Sequence, residues 1–223
     1  MKYNKDILTT IHGSYPGIDI QVYTDRVIPL EDMKIINRRF MGAGISQNYA
    51  SIYWQEYYIE SNRFEYVVEI GSQKGSLTTY LANMAAITES YVFDTFEKFP
   101  HQDWYNRPVE GVGHWVDKLN EISSYINVHH GDIFDKRSFD HIKENVEQFK
   151  TYMFCDGGDK AAEFNMYAPI LKSGDKIAVH DWGMEITMDQ IQETCDKHGL
   201  VIDEPFAQSA TDLETWIMPF KKL

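Results

Sequence analysis

Tyr66–Ser76 reads Y-V-V-E-I-G-S-Q-K-G-S, a short apolar run that ends in a carboxylate and a glycine turn. Four later segments take the same form: Y-V-F-D-T-F-E-K-F-P from Tyr91, H-H-G-D-I-F-D from His129, M-F-C-D-G-G from Met153 and I-A-V-H-D-W from Ile177. Open α/β sheets bind ligands just beyond the carboxyl ends of their strands. If the five runs are parallel strands, their acids gather along one sheet edge, and that edge is the expected active site.

The remaining pattern supports such a sheet. From Phe64 the chain reads as strand Tyr66–Ile70, helix Leu77–Ala86, strand Tyr91–Phe93, helix Trp115–Ser123, strand Ile126–His129 and helix Ser138–Gln148. Strand Tyr152–Cys155, helix Lys160–Leu171, a Ser173–Gly174 turn and strand Lys176–Val179 continue the alternation, which calls for helices on both faces of a parallel sheet. Leu200–Ile202 and Thr215–Met218 read as short strands joined by a polar segment without a strong helix signal, an antiparallel finish. Before Phe64, the G-S-Y-P-G stretch at Gly13–Gly17 is turn-rich, and Pro29–Glu60 reads as helices broken at Gly42 and Gly44. Tyr49, Tyr53 and Tyr57 recur at helical spacing beside Ile52, as a core face or a wall over a ligand. The expectation is one α/β domain over residues 1–223. Residues 1–60 form a helical N-terminal cap, and 61–223 form a doubly wound, mostly parallel, Rossmann-like sheet of seven strands with an antiparallel last strand.

The chain has 223 residues, 43% apolar and 25% charged, enough for one full core and short for two domains. A formal charge of −13 argues against broad contact with a phosphate backbone, so nucleic acid is not an expected partner. No window approaches the roughly 20 apolar residues of a membrane span, and the N-terminus carries no apolar leader core. Cys155 and Cys195 are too few for a disulfide framework and lack C-x-x-C spacing. The expected setting is soluble and cytoplasmic, with no membrane partner, and a homo-oligomer is compatible with the sequence. Cys155, inside an apolar strand, reads as a small buried hydrophobe.

Each motif suggests chemistry. Gly71 permits a tight turn, and the N–H groups opening the following helix, with Ser76, suit an anion such as a carboxylate. A dinucleotide site would need glycines where Gln73 and Ser76 stand, so pyrophosphate and a nicotinamide oxidoreductase are disfavoured. Asp94, 25 positions after Glu69, stands where an acid takes ribose hydroxyls, or else caps a helix. Asp132 could accept from an adenine amino group with Ile133 against the ring, or serve as a loop acid. Asp156 and Asp181 would end neighbouring strands about 5 Å apart and repel unless a proton or cation intervenes. Mg²⁺ or another hard divalent cation suits such oxygens. Alternatively each acid caps the next helix. His180 is a base, a nitrogen ligand or a histidine turned into the core by strand alternation. Trp104, Tyr105, Arg107 and His114, in an irregular stretch from Pro100 to Trp115, shape an acceptor pocket or plug the core.

The order E-I-G-S-x-x-G-S, F-D-T-F-E-x-F-P, G-D-I-F, D-G-G and L-K-S-G-D-x-I-A-V-H-D-W resembles class I S-adenosylmethionine-dependent methyltransferases over roughly Phe64 to Gly183. It is most similar to the metal-dependent group that includes macrocin-type O-methyltransferases and cephalosporin hydroxylase-like proteins. The resemblance implies S-adenosyl-L-methionine as cofactor, with Glu69, Gly71 and Ser76 holding its methionine end, Asp94 its ribose, Asp132 and Ile133 its adenine, and Ser72, Gly75 and Thr95 also binding it. It also implies that Asp156 borders the cofactor and, with Asp181 and His180, holds the metal. Relatives often read D-G-G-H, whereas this chain has Asp159 followed by Lys160, so His180 and Lys160 are the candidate bases. The implied activity is methyl transfer to a hydroxyl of a small molecule such as a sugar, phenol or natural product. Two rivals are a non-methylating S-adenosylmethionine-binding protein of the same fold and a catalytically silent binding module.

Overall fold

The computed structural model describes residues 49–71 and 132–223 continuously, together with 35–36, 39–40, 43–44, 47, 77, 81, 89–94 and 126–130. Ten strands and five helices are defined among them: β1 (Ile35–Ile36), β2 (Arg39–Phe40), β3 (Ala43–Gly44), α1 (Tyr49–Asn62), β4 (Tyr66–Ile70), β5 (Glu89–Asp94), β6 (Ile126–His130), α2 (Lys136–Gln148), β7 (Thr151–Cys155), α3 (Lys160–Tyr167), β8 (Lys176–Val179), α4 (Met188–His198), β9 (Leu200–Ile202), α5 (Glu204–Asp212) and β10 (Met218–Lys222). The large sheet has the order β6-β5-β4-β7-β8-β10-β9. β4 through β8 pair in parallel, and β10 runs antiparallel to both β8 and β9. The order changes direction at β4, which β5 flanks on one side and β7 on the other. That position is the topological switch point at which such sheets open a crevice.

Strand alternation divides the core. Tyr66, Val68, Ile70, Met153, Cys155, Ile177 and Val179 face Ile142 and Val146 of α2, Phe164 and Tyr167 of α3, and Ile191 and Cys195 of α4. Val67, Tyr152, Phe154 and Ala178 face α1, along with Ala210, Leu213 and Ile217. Both faces of β4 and β7 are covered, which is why their sequences are apolar apart from the buried Glu69 and Thr151. Trp54 is fully buried, stacks on Tyr58 with ring centroids 4.8 Å apart and donates its indole N–H to Ser209 Oγ at 2.9 Å. Among the described residues no helix is long and apolar enough to cross a membrane.

The helical reading of Pro29–Glu60 is corrected over residues 35–44, where β1, β2 and β3 form a small antiparallel sheet. Ile35 pairs with Phe40 and Arg39 with Gly44, which leaves the two-residue intervals of tight hairpins. Paired β-branched isoleucines and closely spaced glycines suit that arrangement better than a helix. The helix found in that stretch is α1, and residues 1–34 lie outside the described residues. The buried face of α1 includes residues outside the tyrosine stripe. Ile52, Trp54, Gln55, Tyr58 and Ile59 are buried, while Tyr57 is only partly buried, against Phe206. Polar Ser51 and Gln55 can join that face because Ser51 donates to the Thr215 carbonyl and Gln55 accepts from the Tyr152 hydroxyl.

At the other end, α5 occupies the stretch between β9 and β10, with Pro205 in its first turn, where a missing N–H costs nothing. The last strand is Met218–Lys222 rather than Thr215–Met218. Helix α3 stops at Tyr167 and a 3₁₀ turn, Ala168–Ile170, follows where Pro169 cannot continue the α-helix. The expected helices over Leu77–Ala86 and Trp115–Ser123 fall largely outside the described residues, although Leu77 and Leu81 are helical and buried in the α1-side core.

Candidate active site

Strand register brings the acidic loops to one level. Ile70 pairs with Cys155, and Cys155 pairs with Val179. The residue after each of these strands continues the ladder: Asp156 N–H donates to the Ile70 carbonyl at 2.9 Å, and His180 N–H to the Cys155 carbonyl at 3.0 Å. Gly71 lies alongside at φ +87°, and a Cβ built there would stand 2.3 Å from the Asp156 carbonyl oxygen. A side chain at that position would separate the first loop from the acid loop, so the close approach that only glycine allows is to protein backbone.

Asp181 takes the left-handed conformation at φ 55°, which aspartate adopts more readily than most residues. β8 has ended at Val179, so strand alternation no longer governs the next side chains. His180 and Asp181 therefore converge rather than pointing to opposite faces. His180 Nδ1 is 3.0 Å from Asp156 Oδ1 and 3.3 Å from Asp181 Oδ1. One ligand atom from each of Asp156, His180 and Asp181 lies within 4.8 Å of the others, a spacing open to a single cation. Two carboxylates and an imidazole are donors that a divalent cation accepts.

Lys160 enters the same cluster from the start of α3. Its ammonium is 2.7 Å from Glu185 Oε2, 3.1 Å from Asp181 Oδ2, 3.2 Å from the Gly157 carbonyl and 3.9 Å from Asp156 Oδ1. Burial pulls its pKa down, but the hydrogen bonds to Glu185 and Asp181 and the nearby negative charges outweigh that, and the net direction is up. His180 balances similarly: burial favours the neutral ring, the hydrogen bond to Asp156 and the charges of Asp156 and Asp181 favour the cation, and the net direction is again up.

Three participants carried no sequence signal. Gln47 donates through Nε2 to Asp156 Oδ2 at 2.5 Å across 109 positions of chain. Glu185 follows Asp181 in an irregular loop and could be placed only by structure. Glu163 is buried beneath Gly157, accepts from that residue's N–H at 3.2 Å, and burial raises its carboxyl to about 7. Asp159, in the place of the relatives' histidine, caps α3 by accepting from Ala162 N–H at 3.0 Å.

The other predicted positions divide. Glu69 is buried in β4, and by alternation it shares the face of Val67. Asp94 ends β5 paired with His130 of β6, which puts its backbone at the same sheet edge. Asp132 is exposed and accepts from Phe134 N–H at 2.9 Å in a local turn. Ile133 is buried in the α2-side core, where its carbonyl accepts from the Tyr167 hydroxyl at 2.5 Å. Ser72, Gly75, Ser76, Thr95 and the 100–115 stretch with Trp104, Tyr105, Arg107 and His114 lie outside the described residues. Cys155 is fully buried and burial pushes its thiol up, in keeping with a packing role.

No protein-family model matches the sequence, and the curated proteins give no sequence match. Solved structures do match in fold. The whole chain superposes on 97% of an apo-structure of CmcI with a TM-score of 0.56 at 14% identity. A Mg-SAM structure of cmcI matches over 95% of this chain and 92% of its own, with a TM-score of 0.50 at 14% identity. A mutant of MtNAS matches over 89% of this chain and 66% of its own, with a TM-score of 0.50 at 13% identity. At these identities the likeness is one of fold: a mostly parallel α/β sheet.

Proposed function

We propose that this protein is an S-adenosylmethionine-dependent O-methyltransferase that uses a divalent cation, with Mg²⁺ as the first choice, and acts on a hydroxyl of a small molecule. The observation that carries the reading is the convergence of Asp156, His180 and Asp181 within 4.8 Å just beyond the carboxyl ends of β7 and β8, next to the switch-point strand β4. The fold shared with a Mg-SAM structure supports it. So does the glycine turn at Gly71, which brings the end of β4 against the Asp156 loop at the same sheet edge.

Asp156 and Asp181 are the candidate cation ligands. When bound, the cation supplies positive charge that lowers an acceptor hydroxyl's pKa, and the sulfonium supplies the methyl group. The chain's own residues hold and orient. His180 Nδ1 is committed to Asp156 and Asp181, which leaves Nε2 as the ring atom that can take a proton from an acceptor. Lys160 is a poor base in this setting, because its surrounding carboxylates hold the ammonium charged. His180 is accordingly the assigned base, and Lys160 has another task. Glu69 and Gly71, with Ser72, Gly75 and Ser76, are assigned to the methionine end, Asp94 and Thr95 to the ribose, and Asp132 and Ile133 to the adenine. Gln47 fixes the rotamer of Asp156 from outside the sheet.

The test is calorimetric titration with S-adenosylhomocysteine, followed by product analysis with methyl-labelled donor against a panel of sugar, phenol and natural-product hydroxyls. Binding with labelled product that disappears on exhaustive chelation supports the reading. Binding without transfer to any acceptor would favour the non-methylating alternative.

A further inference from the structure

Lys160 places a full positive charge inside the cluster that the proposed function gives to a cation. Its side chain is 5% exposed, and it is the cation nearest both Asp156 and Asp181 among the described residues apart from His180. An ammonium has three protons to give. Glu185, the Gly157 carbonyl and Asp181 are all within 3.2 Å and take them, while Asp156, at 3.9 Å, is served instead by Gln47 and His180. The link between Lys160 and the Asp156–Asp181 pair is thus one close contact, to Asp181. Its other two bonds would survive if that contact opened. Glu185 is 60% exposed and free to follow the ammonium outward.

A Mg²⁺ ion sits about 2.1 Å from its oxygen ligands and carries twice the charge of an ammonium. It would outcompete Lys160 for the two aspartates and repel the ammonium at such range. Three carboxylates against one lysine also leave the cluster negative, so the ammonium moderates their repulsion without cancelling it. We propose that Lys160 is the resident counter-ion of the Asp156–Asp181 pair, and that a divalent cation enters by displacing it onto Glu185. The inference rests on the cation site of the proposed function and adds its regulation. Lys160 holds the carboxylates ready in the metal-free protein and sets the threshold for metal entry.

The experiment is Mg²⁺ and Mn²⁺ titration calorimetry on the full chain and on Lys160→Met and Glu185→Gln, with the folded state of each checked by circular dichroism. Lys160→Met should bind Mg²⁺ at least tenfold tighter, since no ammonium competes. Glu185→Gln should bind severalfold weaker, because Lys160 then keeps its hold on Asp181. Metal-free Lys160→Met should also melt lower than the parent and recover more on adding Mg²⁺. Equal or weaker metal affinity in folded Lys160→Met overturns the proposal, as does failure of both proteins to bind either ion. Labelled methyl transfer at saturating Mg²⁺, assayed on the same samples, reports separately on the enzymatic reading: a lack of transfer defeats that reading whatever the order of affinities.

Discussion

Strand β8 runs between two partly buried ion clusters built largely from lysine and carboxylates. Lys176 opens the strand and pairs with Asp203, which also accepts from the Tyr58 hydroxyl at 3.1 Å and has Lys221 at 3.7 Å. Lys176 lies over the Tyr58 and Phe206 rings, with its ammonium 5.3 and 5.0 Å from their centroids. Beyond the other end of the strand stand His180 and Asp181, with Asp156, Lys160 and Glu185. At the first end two lysines and a hydroxyl serve one acid. At the second, one lysine and an imidazole serve three acids. The two lysines respond in opposite directions: burial dominates at Lys176 and lowers it, whereas the hydrogen bonds and charges at Lys160 outweigh burial and raise it. Burial of charge alone therefore does not distinguish the two ends; the balance of acids against cations does.

The largest test of that contrast is thermodynamic. Asp203→Ala should cost about 3–5 kcal/mol in denaturant unfolding, because it leaves Lys176 buried without a counter-charge and Tyr58 without its acceptor. Asp181→Ala should cost under about 1 kcal/mol, since it removes one acid from an acid-rich cluster. Equal losses would erase the distinction.

Glu163 extends the contrast to pH. Burial raises its folded carboxyl from 4.5 to about 7, so between those values the native state holds more proton than the unfolded chain. Stability should then fall as pH rises from 4.5 to 7, by at most about 3 kcal/mol, and the slope should vanish in Glu163→Gln. A parent protein with flat stability over that window would mean that Glu163 stays ionised.

Activity separates the ends next. On the proposed function, Asp156→Asn should reduce methyl-transfer kcat by at least about 100-fold, through loss of the carboxylate charge that would hold the cation and that His180 faces. Asp203→Asn, assayed while folded, should keep kcat within about twofold of the parent. The smallest effect is expected from Lys176→Met combined with Asp203→Asn, which removes a buried pair yet keeps an acceptor for Tyr58. Its stability should lie within about 1 kcal/mol of the parent, as measured by the urea midpoint.

The parallel strands were legible because each is an apolar run stopped by a glycine or an acid, and the sheet's burial on both faces leaves little else for such runs to be. β10 was displaced in the sequence reading because Pro219 lies within it, and a proline lacks the N–H that a strand position ordinarily offers. Pairing with β8 on one side and β9 on the other holds it nonetheless. α5 was missed because nine mostly small and polar residues give little apolar period, and α4, with its capping box at Thr187, was not assigned at all. At the site, Asp156, His180 and Asp181 could be named from strand ends. Their convergence depended on the left-handed turn at Asp181, a conformation that aspartate tolerates but that the neighbouring residues do not specify. Gln47, Glu163 and Glu185 had no local pattern to show, since each is defined by what the fold brings to it.

The bond from Gln47 to Asp156 also bears on the order of assembly. β4, β7 and β8 form their ladder between residues 66 and 179, whereas the amide that steadies Asp156 comes from 109 positions earlier in the chain. Closing so long a loop is entropically late relative to local helix and strand formation. The sheet can thus be complete while the acid is still unsteadied. In refolding, recovery of far-ultraviolet ellipticity should precede recovery of turnover, and Gln47→Ala should close that interval by leaving no late step to wait for.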